Sequence, residues 1–245
     1  MKVAALLSSG KDSMYALQKA KEAGHDIVCL LTMKSKNQDS WMFHTPNVHL
    51  VEVQAHCLGI PLLVQETAGE KEAELEDLKK LITRAKEEYH IEGVISGALH
   101  SQYQWKRIDT ICGNLELMSI APLWKYDQEQ LLRELLAHKY EIIIVAIACD
   151  GLSEQWLGRT LNTAAINELV MLNKKIGINV AGEGGEYESL VLDCHLFTKR
   201  IMIVTAHKEM ENQYTGRLNI TKTRTVQKGT TAKHNKLFKL IRREK

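Results

Sequence analysis

The stretch "LLSSGKDSMYAL" (6–17) combines residue types that suit anion binding. Small residues let the backbone approach a ligand closely, and unpaired N–H groups at a helix start beside a lysine favour phosphate. The Walker A pattern fails here, because Ala5 stands at its first glycine position and Asp12 follows Lys11. A capped turn with a solvated lysine is the alternative interpretation. The turn itself consists of Ser8, Ser9, Gly10, Lys11, Asp12 and Ser13, the last two being candidate helix caps.

A second polar stretch, "SGALHSQYQWKR" (96–107), follows an apolar run and opens a helical pattern. Gln104 and Arg107 are three residues apart and therefore share one helical face. The alternative is an amphipathic helix in which Tyr103 packs inward and Arg107 is solvated. Candidate polar groups for the same sheet edge as the first turn are Ser96, Gly97, His100, Ser101, Gln104 and Arg107.

Two further motifs lie in the second half of the chain. "WLGR" (156–159) offers Arg159 as a cation for an anion, with Trp156 as a packing residue. "GEGGEYES" (182–189) places three glycines and three carboxylates in eight residues. Unpaired acids this close repel one another, so we expect the loop to hold Mg²⁺ or an ammonium-like group, unless it is a solvated acidic turn. A cluster of aromatic residues, "SWMFHTPN" (40–47), adds His44 as a candidate contact to nucleotide or substrate, a loop role being the alternative.

Short apolar runs and amphipathic patterns alternate along the first 150 residues. The helical pattern of "VHLVEVQAHCLG" (48–59) ends at Gly59, with Pro61 beyond it. The near-continuous apolar run 142–148 is typical of a strand covered on both faces. The predicted strands are 2–7, 26–33, 61–65, 93–97, 117–124 and 141–149, and the predicted helices include 15–23, 70–89, 127–138 and 160–175.

This alternation predicts an α/β fold in which helices flank a parallel sheet. Ligands of such sheets bind outside the carboxyl ends of the strands, where the turn 8–13 would lie. After about residue 150 the alternation weakens, and strand character returns over 189–205. We therefore expect a main nucleotide-binding domain over 1–150, a smaller α+β part over 151–221 and a basic tail over 222–245.

The composition is that of an ordinary globular protein, with 44% hydrophobic and 25% charged residues in 245. No apolar run approaches the ~18 residues of a membrane span, and we interpret the N-terminus as the first strand of a mature cytoplasmic protein. The five cysteines form no C-x-x-C pair, which indicates reduced thiols and argues against a disulfide framework or a zinc ribbon.

Charge is unevenly distributed. Nine Lys or Arg residues and one acid, Glu244, give the segment 222–245 a charge of +8, which leaves −6 for the rest of the +2 chain. Such a tail could contact RNA or an acidic surface, or could be a solvated terminus.

The turn 8–13 resembles the S-G-G-x-D-S loop of the ATP pyrophosphatases, with Ser9 at the usual first glycine. This replacement is modest if the position has a negative φ and costs more if φ is positive. The order of "SSGKDS", "SGALHSQYQ", "PLW", "GLSEQWLGR" and "GEGGEYES" is similar to that of the diphthine–ammonia ligase (diphthamide synthetase) family over about residues 1–205. The resemblance implies an adenine-nucleotide alpha-hydrolase-like sheet and does not cover the basic tail.

The family amidates diphthine, a modified histidine of translation elongation factor 2, through an acyl-adenylate that ammonia attacks. The resemblance therefore implies ATP and Mg²⁺, with the phosphate loop holding the pyrophosphate that leaves. We expect Thr32 and Met33, at the end of the second strand, to contact adenine. The resemblance implies that the catalytic residues are Lys11, Glu183 and Glu186 and that Asp12 is a metal ligand. The nucleotide would be bound by Ser8, Ser9, Gly10, Lys11, Asp12, Ser13, Gly97, Ser101 and Gln104. The substrates would be bound by His44, Arg107, Arg159, Gly184, Gly185 and Glu188.

Three other functions remain open from the sequence: a tRNA-modifying ATP pyrophosphatase, a small-molecule amide ligase and a non-catalytic adenine-nucleotide sensor. Thiolating members of the first class use cysteine pairs, which this chain lacks. Release of AMP and pyrophosphate, and its dependence on the added substrate, would separate these functions.

Overall fold

The computed structural model describes residues 1–35, 47–228 and 239–240. The chain forms two compact units, Met1–Tyr126 and Asp127–Lys245. Within the described residues, none of the helices combines the length and apolar character needed to cross a bilayer.

The first unit is a five-stranded parallel sheet flanked by helices, which confirms the predicted fold class. The strand order is β3-β2-β1-β4-β5. The chain moves outward in one direction through β2 and β3 and then returns to the other side of β1, so the switch point lies between β1 and β4. The elements are β1 (Lys2–Leu6), α1 (Lys11–Glu22), β2 (Asp26–Ser35), α2 (Leu50–Leu58), β3 (Leu62–Thr67), α3 (Lys71–Tyr89), β4 (Gly93–Ile95), α4 (Gln102–Asn114) and β5 (Met118–Ile120).

Local sequence explains where these helices begin and end. Gly59 ends α2 in the left-handed conformation at φ 68°, and its N–H donates to the carbonyls of Ala55 and His56. Ser101 caps α4 by accepting a hydrogen bond from the Gln104 N–H. One apolar core, which includes Cys29, Leu31, Leu78 and Val94, joins the sheet to α3 and α4. The carboxyl edge of β1 and β4 is thereby a fixed platform.

The second unit is built on a five-stranded sheet of order β10-β8-β9-β6-β7, in which β6, β7, β8 and β9 pair antiparallel and β10 pairs parallel with β8. Asp127 and Asn162 cap the helices that begin at Gln128 and Thr163 through their side-chain oxygens. The elements are α5 (Gln128–Ala137), β6 (Glu141–Ala148), a 3-10 turn (Glu154–Trp156), α6 (Thr163–Ile176), β7 (Tyr187–Asp193), β8 (Lys199–Met210), β9 (Thr215–Gln227) and β10 (Lys239–Leu240).

The division of the chain differs from the expected one, because the boundary lies near residue 126 and not near residue 150. Residues 142–145 and 147 of the apolar run 142–148 are buried as predicted, whereas Ala148 is exposed. As β6 the run lies between β7 and β9 of the antiparallel sheet. Burial on both faces does not reveal strand direction, so the run could not be assigned to a sheet from its composition. The predicted tail 222–245 also begins inside β9, which extends to Gln227.

Candidate functional site

The turn between β1 and α1 lies at the switch point of the parallel sheet, against the loop that follows β4. Gly97 marks the contact: a Cβ atom there would lie 2.7 Å from the Ser13 nitrogen and 2.9 Å from the Asp12 carbonyl carbon. Real Cβ atoms do not approach backbone this closely, so only glycine fits. The structure therefore brings the two polar stretches predicted from sequence to one edge.

Serine hydroxyls tie the phosphate turn together. Ser13 Oγ accepts a hydrogen bond from the Ser8 N–H at 3.2 Å, lies 3.1 Å from Ser8 Oγ and donates to the Gly10 carbonyl at 3.2 Å. The N-cap of α1 is Gly10, with no side-chain cap. The expectation that Asp12 or Ser13 caps α1 is wrong, because both residues already lie within the first turn of the helix.

Ser9 adopts a positive φ, the conformation in which replacement of glycine by serine is costly. Its φ is +71°, its side chain is fully buried, and its Oγ has no hydrogen-bond partner among the described residues. A non-glycine residue in the left-handed region costs about 1 kcal/mol. The Nε2 of Gln54, from α2, donates to the Ser9 carbonyl oxygen at 3.0 Å.

Lys11 and Asp12 form an ion pair at the start of α1, with Nζ and Oδ2 2.8 Å apart. Lys11 is 3% exposed and Asp12 24%. The second carboxylate oxygen of Asp12, Oδ1, is buried and accepts no hydrogen bond from the described part of the chain. That oxygen suits a hard cation, for which phosphate oxygens and water would supply the other ligands. Within residues 1–35, 47–228 and 239–240, no group of three or more His, Cys, Asp or Glu residues could hold a metal by itself.

The β4–α4 loop adds further polar groups to the same edge. Ser96 Oγ is buried, and no hydrogen bond to it is found in the described ranges. His100 Nε2 lies 3.0 Å from the Tyr126 carbonyl oxygen. Gln104 is half-buried on the first turn of α4, and its backbone N–H donates to the side chain of the cap residue Ser101.

Arg107 lies one turn further along α4. Its guanidinium carbon is 3.4 Å from the centre of the Tyr103 ring, and its Nη1 donates to the Tyr103 carbonyl at 3.3 Å. Arg107 is half-buried, so it is less solvated than the alternative interpretation assumed. This stacking fixes the guanidinium plane, so an anion that binds Arg107 would accept hydrogen bonds from N–H groups at the edge of that plane.

The residues predicted to contact adenine, Thr32 and Met33, are largely buried. Thr32 and Met33 lie within β2, near its end, and are 5% and 3% exposed. Met33 belongs to the apolar core beneath α3 and α4. His44 lies outside the described residues.

In the second unit, one glutamate organises the loop 182–188. Glu186 Oε1 accepts hydrogen bonds from the Asn179 backbone N–H at 2.7 Å and the Asn179 side-chain amide at 2.8 Å, and Oε2 accepts from the Gly184 N–H at 2.8 Å. Gln128 anchors Asn179 in turn, by donating to its Oδ1 at 3.1 Å. The charge of Glu186 is therefore compensated by local N–H donors.

The other residues of this loop have different surroundings. Gly184 and Gly185 are exposed, and Glu183 and Glu188 are half-buried. Gly185 has a φ of +84°, which places the tip of the loop in a glycine conformation. Of the three carboxylates predicted to act together, Glu186 is thus held by neighbouring N–H donors, whereas Glu183 and Glu188 are half-buried.

Arg159 lies in a rigid setting. Its guanidinium forms a bidentate pair with Glu168, at 2.6 Å from Nη1 and 2.5 Å from Nη2. It also stacks over Trp156, with 4.2 Å between the guanidinium carbon and the ring centre. The hydrogen bonds that Arg159 donates to Glu168 raise the pKa of Arg159 above its ordinary value and lower the pKa of Glu168. An anion approaching Arg159 would compete with Glu168.

Sequence reasoning missed four residues that shape these sites: Gln54, Gln128, Glu168 and Asn179. Gln54 had a detectable signal, since it interrupts the apolar stripe of α2 and buried glutamines need a partner. The other three have no pattern that separates them from surface amides and acids.

Comparison with known proteins identifies the family. Residues 1–119 match the model of the diphthamide synthase N-terminal domain, and residues 127–226 match that of its C-terminal domain. A diphthine–ammonia ligase from Rattus norvegicus is 39% identical over 225 residues, which cover 84% of each chain. The Homo sapiens protein of the same name is 37% identical over 222 residues, which cover 83% of each chain. The Schizosaccharomyces pombe relative is 35% identical over 83% of this chain but only 36% of its own length.

A solved structure described as a predicted subunit of tRNA methyltransferase from Methanocaldococcus jannaschii covers 80% of this chain and 98% of its own, at 16% identity and a TM-score of 0.41. That likeness is too weak to bear on function. The two domain models together span most of the chain, and their junction between residues 119 and 127 coincides with the junction of the two compact units. The chain belongs to the diphthamide synthase family.

Proposed function

We propose that this chain is an ATP-dependent diphthine–ammonia ligase that releases AMP and pyrophosphate. The main structural support is the phosphate turn at the β1/β4 switch point, which packs against Gly97. The relatives of this chain are named diphthine–ammonia ligase. A substrate carboxylate oxygen attacks the α-phosphorus of ATP and pyrophosphate leaves. Ammonia then attacks the acyl carbon, loses a proton and displaces AMP, which retains the carboxylate oxygen.

The turn residues suit the leaving pyrophosphate. Ser8, Gly10 and the N–H groups at the start of α1 would bind its oxygens, and the buried Lys11 would offset the charge that develops on it. Fixed electrostatic help of this kind is often worth ~3–4 kcal/mol. Mg²⁺, held by Asp12, would supply further charge neutralisation. Ser101 and Gln104 would complete the nucleotide contacts from the start of α4. Thr32 and the Met33 backbone are proposed for adenine, since the Met33 side chain packs in the apolar core.

The glutamate loop suits ammonia. Ammonium must lose a proton before its nitrogen can attack, so a nearby base is required. Both carboxylate oxygens of Glu186 accept hydrogen bonds, from the N–H groups of Asn179 and Gly184. We therefore assign loop support to Glu186, and we propose that Glu183, the half-buried acid three residues before it, accepts the proton. Gly184, Gly185 and Glu188 are proposed to contact the substrates, as are His44, Arg107 and Arg159.

The protein substrate is proposed to be translation elongation factor 2, in the cytoplasm. The basic segment that starts at Lys222 would attract an acidic surface on that substrate, or nearby RNA, through long-range charge. Deleting residues 229–245 retains β9 but removes β10, and it should raise the substrate KM in a salt-sensitive manner. Unchanged kinetics at low salt would exclude this contact.

The proposed activity is tested with purified protein, ATP, Mg²⁺ and ammonium. AMP and pyrophosphate should appear only when elongation factor 2 carrying diphthine is present, and the protein should gain an amide. Release that depends on tRNA would indicate an RNA-modifying enzyme, and release with a small carboxylic acid alone an amide ligase. ATP binding without pyrophosphate release would indicate a sensor, and each of these results would contradict the proposal.

A further inference from the structure

We propose that Gln54 is a positioning residue for the phosphate turn: it holds the Ser9–Gly10 peptide in the orientation that ATP requires. This inference rests on the proposed function, because it assigns the turn to nucleotide phosphates. Gln54 lies on α2, 45 residues from Ser9 in sequence, and belongs to no motif named above. Its side chain is fully buried.

The turn needs support because its central residue is strained. Ser9 has a φ of +71° where glycine would adopt the same conformation freely. Its buried Oγ gains no compensating hydrogen bond within the described residues. Two unfavourable features therefore coincide at one position of the turn, and a contact from elsewhere must stabilise the conformation.

Gln54 supplies that contact through one hydrogen bond. Its Nε2 donates to the Ser9 carbonyl oxygen at 3.0 Å, and both residues are fully buried. The described peptide bonds are all trans, and in a trans peptide the C=O and the following N–H point in opposite directions. Since the Ser9 carbonyl points to α2, the Gly10 N–H points away from α2. That N–H precedes the first turn of α1, where a phosphate oxygen would bind.

The position of Gln54 supports a specific role over simple packing. The buried residues around it on α2, Val51, Ala55 and Cys57, are apolar. A glutamine amide buried among them is unfavourable unless it forms hydrogen bonds. A methionine or leucine would fill this space without a polar contact, so the hydrogen bond to the Ser9 carbonyl offsets part of the cost of burying the amide.

The test compares two glutamines of equal burial. Gln18 on α1 is also fully buried, and its Nε2 donates to Glu22, near the end of the helix away from the turn. Gln54→Met and Gln18→Met each remove one buried amide with little change in volume. We expect Gln54→Met to raise the ATP KM, and the Kd of α,β-methylene-ATP, about tenfold, the effect of one hydrogen bond. Gln18→Met should change both constants less than twofold at a comparable loss of Tm.

The Ser9→Gly background separates positioning from general stability. Glycine adopts the positive φ without strain, so Gln54→Met in that background should raise the ATP KM less than threefold. Should Gln54→Met fail to fold, Gln54→Glu takes its place, because its carboxylate repels the Ser9 carbonyl and should raise the KM at least as far. Equal KM and Kd values for the Gln54 and Gln18 variants would overturn the inference, as would an undiminished effect of Gln54→Met in the Ser9→Gly background. A wild-type chain that neither turns over ATP nor binds its analogue would overturn the proposed function, and this inference with it.

Discussion

Gly97 and Ser13 lie so close that a single added carbon at Gly97 would be 2.7 Å from the Ser13 nitrogen. This contact joins the loop after β4 to the start of α1, and hence the two polar stretches that the sequence placed at one sheet edge. The neighbour that would have to move is helix backbone, which cannot adjust as a side chain does.

Gly97→Ala should therefore lower the free energy of unfolding by about 1–3 kcal/mol, the usual range for overpacking, and should raise the ATP KM. The matched control is Gly113→Ala, because Gly113 lies in α4 with open space around its missing Cβ. That variant should gain about 0.5–1 kcal/mol. Chemical denaturation and ATP kinetics check both, and a Gly97→Ala variant with wild-type values of both would contradict the close approach.

Ser9→Gly should stabilise the chain. Glycine relieves the positive φ and removes the buried hydroxyl, so we expect a gain of about 0.5–1 kcal/mol in the free energy of unfolding. Ser9→Ala removes the hydroxyl but retains the strained backbone, and it should gain less. Urea denaturation of the three proteins tests the order, and a Ser9→Gly variant less stable than wild type would refute the account of strain.

Glu186 and Glu183 should respond differently to the same substitution. Glu186→Gln places an NH₂ group opposite N–H donors and should cost about 1–3 kcal/mol of stability, the penalty for unsatisfied buried groups. Glu183→Gln should lower the Tm less than Glu186→Gln does while reducing kcat at least tenfold, because the proposed proton acceptor is lost. Thermal unfolding and kcat distinguish the two, and the reverse pattern would exchange the roles assigned to these residues.

The Arg159–Glu168 pair predicts a pH-dependent contribution to stability. Hydrogen bonding to Arg159 lowers the pKa of Glu168 below its ordinary value of 4.5. The contribution is thus fully present above pH 4.5 and is lost as the pH falls through the lowered pKa. Glu168 is 43% exposed, so Glu168→Gln should cost at most about 1 kcal/mol at pH 7. The difference from wild type should shrink below pH 4, and a difference that persists there would contradict the ion pair as its cause.

The five thiols should differ in reactivity. Burial raises the pKa of Cys29 and Cys112 to about 12 and that of Cys194 to about 11. Cys57 is also buried, and only Cys149 has partial exposure. Ellman's reagent at pH 8 should therefore label at most one thiol of the folded chain and all five in guanidinium. Fast labelling of two or more thiols in buffer would contradict this assignment of buried cysteines.

Sequence reasoning succeeded where the information is local. Alternating apolar runs and caps predicted the strands and helices of the first unit, and the small residues around Lys11 predicted its polar turn. It failed where partners are distant. Nothing within β6 reveals that Thr215–Arg217 of β9 and Tyr187–Asp193 of β7 are its neighbours. The φ of Ser9 and its contact to Gln54 likewise depend on chain segments 45 residues apart.

The most direct test of the central claim follows one oxygen atom. Elongation factor 2 carrying diphthine with an ¹⁸O-labelled carboxylate is incubated with this protein, ATP, Mg²⁺ and ammonium, and the nucleotide products are analysed by mass spectrometry. Adenylation predicts one ¹⁸O atom in AMP for each diphthamide formed and none in pyrophosphate. Label recovered in inorganic phosphate together with ADP, or diphthamide formed with unlabelled AMP, would contradict the acyl-adenylate.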